Sequence, residues 1–125
     1  PATDFQGSLR QLLQPWLTGG LPSQETAAEM LGTTPRTLRR RLAEDGASWH
    51  AVVNDLKFGK AVARLQEGRS SVREVAEELG YSVPAHFSRF FHHRAGVPPS
   101  AYREEVERAR ELARRPGDPA FARRA

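Results

Sequence analysis

The sequence predicts an all-α fold of about seven helices, because apolar residues recur at helical spacing along nearly the whole chain. No segment shows the period-two alternation of Val, Ile and Thr that is typical of strands. Glycine and proline lie between the apolar segments, where they end helices and form turns. Since 38% of the 125 residues are hydrophobic and 27% are charged, the chain has enough apolar matter for a modest core.

Three helices are predicted in the N-terminal third of the chain, over residues 4–17, 23–32 and 35–44. Asp4 is a favourable N-cap for the first helix, and Pro15 disturbs its last turn. The third helix begins at a proline and stops before a glycine, which are the preferred residues at those ends. We expect the first helix to bury a stripe formed by Phe5, Leu9, Leu12, Leu13 and Trp16.

The rest of the chain begins with a longer helix over residues 48–68, in which Gly59 is a weak point. Residues 71–74 read Ser-Val-Arg-Glu, a capping box in which the glutamate returns a hydrogen bond to the serine backbone. A final helix is expected within residues 97–115. We expect residues 116–125 to form a flexible tail.

The segment from residue 71 onward repeats the second and third helices. A shift of 48 residues aligns five identical pairs, Ser23–Ser71, Ala28–Ala76, Glu29–Glu77, Leu31–Leu79 and Gly32–Gly80. One extra residue after the second glycine then aligns Leu38 with Phe87, Arg40 with Arg89, and Leu42 with Phe91. A duplicated helix-turn-helix explains this register. We therefore predict helix-turn-helix subdomains over residues 1–46 and 69–115, joined by a linker helix over residues 47–68.

The charge distribution suggests two basic surfaces. The 19 Lys+Arg and 15 Asp+Glu leave a net charge of +4, and only Lys57 and Lys60 among the basic residues are lysines. Arginine suits contacts to phosphate and guanine, although a GC-rich genome would also favour it. Residues 30–43 contain four arginines and no acid, and residues 79–103 contain three arginines, three histidines and no acid.

The second helix of each copy has the features of a helix that lies in a major groove of DNA. In each copy a small residue allows the two helices to cross closely, and a glycine accepts the left-handed turn between them. Leu38 or Phe87 then anchors the buried face. The opposite faces supply candidate base contacts, Arg36, Thr37, Arg39, Arg40, Ala85, His86 and Ser88. The candidate phosphate contacts are Ser23, Arg41, Ser71, Arg89 and Arg94.

A single pattern of this kind is a weak signal, because any packed helix pair with a glycine turn imitates it. Two copies in register, each with arginine in its second helix, favour DNA binding over a helical bundle with solvated arginines. Because Pro84 and Ala85 offer little hydrogen bonding, we expect the second copy to act mainly on the DNA backbone.

Three segments of the second copy resemble the C-terminal signature of AraC/XylS-type transcription regulators. They are SVREVAEELGYS at residues 71–82, FSRFF at 87–91 and GVPPSAYR at 96–103. With LGTTPRTL at residues 31–38 as the counterpart in the first copy, the likeness extends over roughly residues 5–108. The resemblance implies two helix-turn-helix subdomains that insert into successive major-groove segments on one face of DNA and regulate bacterial transcription.

The length of the linker fits this arrangement. A helix of roughly 19 residues is about 28 Å long at 1.5 Å per residue, and successive major-groove faces lie about 34 Å apart. We therefore expect a monomer that binds an asymmetric duplex site with its two recognition helices about 10 base pairs apart. The chain begins at Pro1, and the sequence leaves open whether it is a fragment of a longer regulator or a stand-alone protein. In a longer regulator, dimerisation would come from an N-terminal domain. We expect the protein to act in the cytoplasm, at the bacterial nucleoid.

Other classes of protein fit less well. The chain has no Cys, which excludes disulfides, thiolate zinc sites and cysteine nucleophiles. No apolar run approaches the ~18 residues of a membrane span, and a signal-peptide pattern is lacking. His92 and His93 point about 100° apart on a helix, without a carboxylate at metal-site spacing. We expect no enzyme activity, catalytic residue, metal or cofactor.

The remaining alternative is a helical protein-interaction module that docks an RNA polymerase subunit or another partner without reading DNA. Members of the family use both kinds of contact, so the resemblance alone does not separate them. A phosphate binder loses affinity steeply with salt, whereas a pure interaction module does not.

Overall fold

The computed structural model describes residues 4–16 and 20–114, and within them the chain forms seven α-helices and one short 3-10 helix, without strands. This result confirms the all-α prediction. The α-helices are α1 (Phe5–Leu13), α2 (Gln24–Met30), α3 (Pro35–Glu44), α4 (Trp49–Glu67), α5 (Val72–Glu78), α6 (Pro84–Ala95) and α7 (Pro99–Arg114). The predicted tail at residues 116–125 lies outside the described residues.

The chain divides into two compact units, and the division falls within α4, between Lys60 and Ala61. The first unit comprises Pro1–Lys60 together with Glu78–Gly80, and the second comprises Ala61–Glu77 together with Tyr81–Ala125.

The core of the first unit is aliphatic and is formed by α1, α2, α3 and the first turns of α4. Its buried residues are Leu9, Leu13, Ala27, Ala28, Leu38, Leu42 and Val52. Phe5, Leu12 and Trp49 are partly buried against them. An ion pair of 2.8 Å between Arg10 Nη2 and Asp55 Oδ2 also ties α1 to α4.

The prediction that Trp16 completes the buried stripe of α1 is wrong, because 43% of its surface is exposed. The α-helix ends at Leu13, and Gln14–Trp16 forms the 3-10 helix. Pro15 lacks a backbone N–H and clashes with the carbonyl one turn earlier, so the α-helical register stops before the tryptophan. The predicted end of this helix, at Leu17, lies outside the described residues.

The core of the second unit is largely aromatic. Phe87 and Phe91 of α6 are fully buried, and their ring centroids lie 5.9 Å apart. Tyr81 contacts Phe87 at 5.6 Å, and Tyr102 of α7 contacts Phe91 at 5.7 Å. These tilted ring pairs join α6 to the preceding turn and to α7.

Two arginines of α7 bind backbone carbonyls at and just after the end of α4. Arg103 donates to the carbonyl of Gly68 at 2.9 Å and also to that of Ser70. Arg110 donates to the carbonyl of Glu67 at 3.1 Å and also to that of Gln66. Arg110 thereby satisfies carbonyls that the end of α4 leaves without intrahelical partners, and Arg103 holds the segment that follows the helix.

Candidate nucleic-acid interface

The turn before each candidate recognition helix, α3 or α6, contains a glycine with a left-handed backbone. Gly32 has φ +70° and Gly80 has φ +91°, values that residues with a Cβ atom rarely adopt. Beyond each turn, two buried residues fix the inner face of the helix. They are Leu38 and Leu42 in α3, and Phe87 and Phe91 in α6.

The exposed face of α3 is centred on Arg36 and Arg40. Successive residues of an α-helix are about 100° apart, so these two side chains point away from Leu38 and Leu42. Both arginines are exposed. Arg36 has no hydrogen bond or ion pair among the residues that the structure describes, and it is therefore available to a ligand.

Arg40 forms an ion pair with Glu44, one turn further along α3. Arg40 Nη1 lies 3.1 Å from Glu44 Oε2, and the side chains are 63% and 61% exposed. An exposed pair of this kind contributes only about 0.3–0.5 kcal/mol. Arg40 can thus exchange its carboxylate partner for another acceptor at small cost.

Two other candidates in α3, Arg39 and Arg41, lie at the two flanks of this face. Arg39 lines a pocket of about 240 Å³ together with Trp49 and His50. On the opposite flank, the Arg41 guanidinium lies 4.8 Å from the centroid of the Phe5 ring.

Thr37 is half-buried, and its side chain is engaged at the start of α3. Thr34, the N-cap, accepts a hydrogen bond from the Thr37 N–H at 3.2 Å. The two hydroxyl oxygens are also 3.1 Å apart. Thr37 therefore supports the helix end in addition to bordering the exposed face.

The exposed face of α6 carries different chemistry. Ala85, His86 and Arg89 are exposed, whereas Ser88 is half-buried beside the phenylalanines. Arg89 has no ion pair or hydrogen bond among the described residues. Arg94 lies in the last turn of α6, with its guanidinium 5.9 Å from the centroid of the Phe90 ring. The N-cap, Val83, provides no side-chain hydrogen bond.

The two candidate serines both cap helices, but their surroundings differ. Ser23 accepts the Thr26 N–H at 3.1 Å and donates to the Thr26 hydroxyl at 3.0 Å. Ser71 accepts the Glu74 N–H at 3.1 Å, and Glu74 Oε1 accepts the Ser71 N–H at 2.8 Å. These two bonds confirm the predicted capping box.

The carboxylate of the capping box changes the electrostatics at the start of α5. The hydrogen bond from the Ser71 backbone is the main cause that lowers the pKa of Glu74, with smaller contributions from the Ser71 hydroxyl and the charge of Arg103. Glu74 is therefore ionised at neutral pH and repels a phosphate at this helix end. This makes Ser71 a poorer candidate for phosphate binding than Ser23.

Across residues 4–16 and 20–114, no group of three or more His, Asp or Glu side chains is placed to hold a metal ion. None of the helices in this part of the chain is both long and apolar enough to cross a membrane.

Comparison with known proteins gives one consistent family. The model of the family described as "Helix-turn-helix domain" matches residues 27–105. An uncharacterised HTH-type transcriptional regulator from Mycobacterium tuberculosis is 39% identical over 85 residues, which are 68% of this chain and 25% of that protein. The chain thus spans about a quarter of the length of such curated relatives.

Solved structures share the fold. The transcriptional regulator CdpR from Pseudomonas aeruginosa superposes with a TM-score of 0.74 at 32% identity, covering 79% of this chain and 31% of that one. The DNA-binding domain of the global transcriptional factor AdpA, solved in complex with a target DNA, has a TM-score of 0.73 at 24% identity. It covers 87% of this chain and 98% of that one. Given the family match over residues 27–105 and these relatives, the chain belongs to the AraC-type helix-turn-helix family of transcription regulators.

Proposed function

We propose that this chain binds double-stranded DNA sequence-specifically and thereby regulates bacterial transcription. One observation carries the proposal: α3 and α6 each follow a left-handed glycine turn, are held by two fully buried side chains and expose arginine. A helix held in this way fits the major groove of B-DNA, which is wide enough to admit an α-helix. The family and the DNA complex of AdpA support the same interpretation.

In this proposal α3 provides most of the sequence discrimination. Arg36 and Arg40 occupy the centre of its exposed face, where guanidinium groups can bind guanine O6 and N7 through two hydrogen bonds. Arg39 and Thr37 border this face and contact neighbouring bases. Ser23, the N-cap of α2, and Arg41, on a flank of α3, bind the DNA backbone and fix the register of α3.

The second copy acts mainly by binding phosphates. We infer phosphate contacts for Arg89, at the centre of the exposed face of α6, and for Arg94, near the C-terminal end of this helix. Ala85 offers at most a methyl contact, and His86 and Ser88 offer weaker hydrogen bonds than an arginine. Ser71 is the weakest member of this set because of the neighbouring Glu74 carboxylate.

We further propose that the isolated chain is a monomer whose two recognition helices contact an asymmetric site about 10 base pairs apart. Within a longer cytoplasmic regulator, an additional N-terminal domain would supply dimerisation, and an RNA polymerase subunit would be a second partner. Sedimentation of the isolated chain tests the first statement, since a tight dimer would contradict it. Pull-down of polymerase subunits with and without promoter DNA tests the last.

The decisive experiment is a mobility-shift titration on random and selected duplexes at 50 and 200 mM salt. Each phosphate that a cationic side chain neutralises contributes about 0.9 to the magnitude of the slope of log K against log salt, so Arg41, Arg89 and Arg94 together predict a slope of about −2.7. The double variant R36A/R40A should lose the preference for the selected duplex. Arg108→Ala, which removes one exposed charge from α7, is the matched control. Binding that is insensitive to salt would favour the protein-interaction alternative.

A further inference from the structure

The exposed face of α6 holds three of the four histidines of the chain. With Phe87 and Phe91 marking the buried side, the helical repeat of about 100° per residue places Arg89 at the centre of the opposite side. His93 lies about 40° from that centre, and His86 and His92 lie about 60° from it. All three histidines are exposed, so they form one surface with Arg89.

The corresponding face of α3 has no histidine. The register that aligns Arg40 with Arg89 places Thr37 opposite His86, Ala43 opposite His92 and Glu44 opposite His93. In α3 the carboxylate at the last of these positions binds the central arginine at 3.1 Å. In α6 the same position holds an imidazole, so the two faces differ in the chemistry next to the central arginine.

Besides Arg89 and the histidines, charged and titratable groups occur on α6 itself and on the elements that precede and follow it in the chain. They are Arg94 on α6, Tyr81 in the preceding turn, Arg73, Glu74, Glu77 and Glu78 on α5, and Arg103, Glu104, Glu105, Glu107, Arg108, Arg110, Glu111 and Arg114 on α7. Glu74 is engaged by Ser71 and Glu107 by Arg110. Among the described residues, no carboxylate forms an ion pair or hydrogen bond with His86, His92 or His93.

We propose that His86, His92 and His93 bind DNA phosphates in their protonated form, so that α6 holds the duplex more tightly as the pH falls. Histidine is the side chain whose charge changes between about pH 5 and 8. A protonated imidazole next to Arg89 adds a cation to a face that carries no acid, and each added phosphate contact steepens the salt dependence. The inference rests on the proposed DNA binding, extends its contacts along α6 and moves His86 from the bases to the DNA backbone.

The test compares binding of a random duplex at pH 6.0 and pH 8.0 over a series of salt concentrations. For the wild-type chain the slope of log K against log salt should grow in magnitude by about 0.9 for each histidine that binds a phosphate. Between 50 and 200 mM salt this corresponds to about a 3.5-fold additional loss of affinity per contact. Glu74, whose pKa is lowered, remains ionised over this range.

The chain offers a matched control, because its fourth histidine, His50, is exposed on α4 outside the proposed face. The variant H86Q/H92Q/H93Q should bind with nearly equal slopes at the two pH values, whereas His50→Gln should keep the wild-type difference. Circular dichroism melts at both pH values establish that each variant is folded. If the triple variant is unfolded, His93→Gln alone should remove about 0.9 from the slope difference.

Two failures can be told apart. A wild-type chain that binds no duplex at pH 8.0 at any salt concentration would overturn the proposed function itself. A chain that binds at pH 8.0 but shows the same slope at pH 6.0 would overturn only the role of the histidines. The same conclusion would follow if the triple variant kept the pH dependence or if His50→Gln abolished it.

Discussion

The helices α3 and α6 hold equivalent places in the two copies, yet they differ in how they begin and in what they expose. Thr34 caps α3 with its hydroxyl, whereas Val83 gives α6 no side-chain cap. The exposed face of α3 centres on Arg36 and Arg40, and that of α6 has Arg89 with histidines around it. The two copies therefore share the glycine turn and the buried anchors that position a recognition helix, but they differ in the side chains that this helix exposes.

The difference extends to the cores beneath the helices. Leu38 and Leu42 anchor α3 in an aliphatic cluster, whereas Phe87 and Phe91 anchor α6 in a chain of aromatic contacts. An aromatic anchor buries more surface than a leucine. The same geometric role is thus filled by side chains of different size in the two copies.

The largest effect is expected from removing these anchors. Phe87→Ala should cost about 3–5 kcal/mol of unfolding free energy and Leu38→Ala about 2–5 kcal/mol, because both leave cavities in fully packed cores. Urea denaturation monitored by circular dichroism measures both. Val83→Ala, which truncates an apolar side chain that is 43% exposed, should cost less than about 0.5 kcal/mol. Equal losses in all three variants would show that α6 is not held by its buried face.

A second prediction separates base reading by α3 from phosphate binding by α6. Arg36→Ala should lose about 1–3 kcal/mol of discrimination at one base pair and little affinity for random DNA. Arg89→Ala should weaken selected and random duplexes by similar factors and reduce the magnitude of the salt slope by about one unit. Competition binding with a library of single-base variants measures the first effect, and titration of selected and random duplexes over a series of salt concentrations measures the second.

Either of two results would overturn the assignment of α3 to base reading and of α6 to phosphate binding. If Arg36→Ala weakens all sequences equally, Arg36 is a phosphate contact. If Arg89→Ala leaves random DNA unaffected but greatly weakens the selected site, Arg89 reads a base, and the second copy contributes to specificity.

A third prediction concerns the left-handed glycine turn that precedes the recognition helix in both copies. Gly32→Ala and Gly80→Ala should each destabilise the chain by about 1 kcal/mol or more, since both backbones are left-handed. An added Cβ meets no atom within 4 Å at either position, so the cost is conformational rather than steric crowding from neighbours. The shift in melting temperature measures it.

Gly59 is the matched control for the two turn glycines. It lies inside α4, and a Cβ there also meets no atom within 4 Å beyond the helix backbone. Gly59→Ala should therefore stabilise the chain by about 0.5–1 kcal/mol. A stabilising effect of Gly80→Ala would show that the turn before α6 does not need its left-handed residue.

Local patterns were sufficient to predict much of the fold. The helical periodicity, the capping box of Ser71 and Glu74, and the glycine turns depend on neighbours in sequence, and the structure confirms each of them. The burial of Trp16 was predicted wrongly, because extending the apolar stripe ignored how completely Pro15 stops an α-helix.

Contacts between distant segments were not predictable in this way. Arg41 lies over the ring of Phe5, and Arg103 and Arg110 bind carbonyls near the end of α4. These arginines look like their neighbours in the sequence, and only the packing of separate helices gives them a partner. The individual DNA contacts remain predictions for a related reason, since exposure identifies available side chains but not the atoms they bind.

The smallest expected effect tests the feature in which the two exposed faces differ most. Glu44→Gln removes the carboxylate that binds Arg40 and should cost about 0.3–0.5 kcal/mol of stability, as for other exposed pairs one helical turn apart. Random DNA should nevertheless be bound more tightly, because the substitution removes a negative charge near the phosphates and frees the guanidinium. Mobility shifts at low salt measure the gain, with Glu105→Gln on α7 as the control. Weaker binding by Glu44→Gln would mean that the ion pair positions Arg40 for DNA, and that α3 depends on a carboxylate for which α6 has no equivalent.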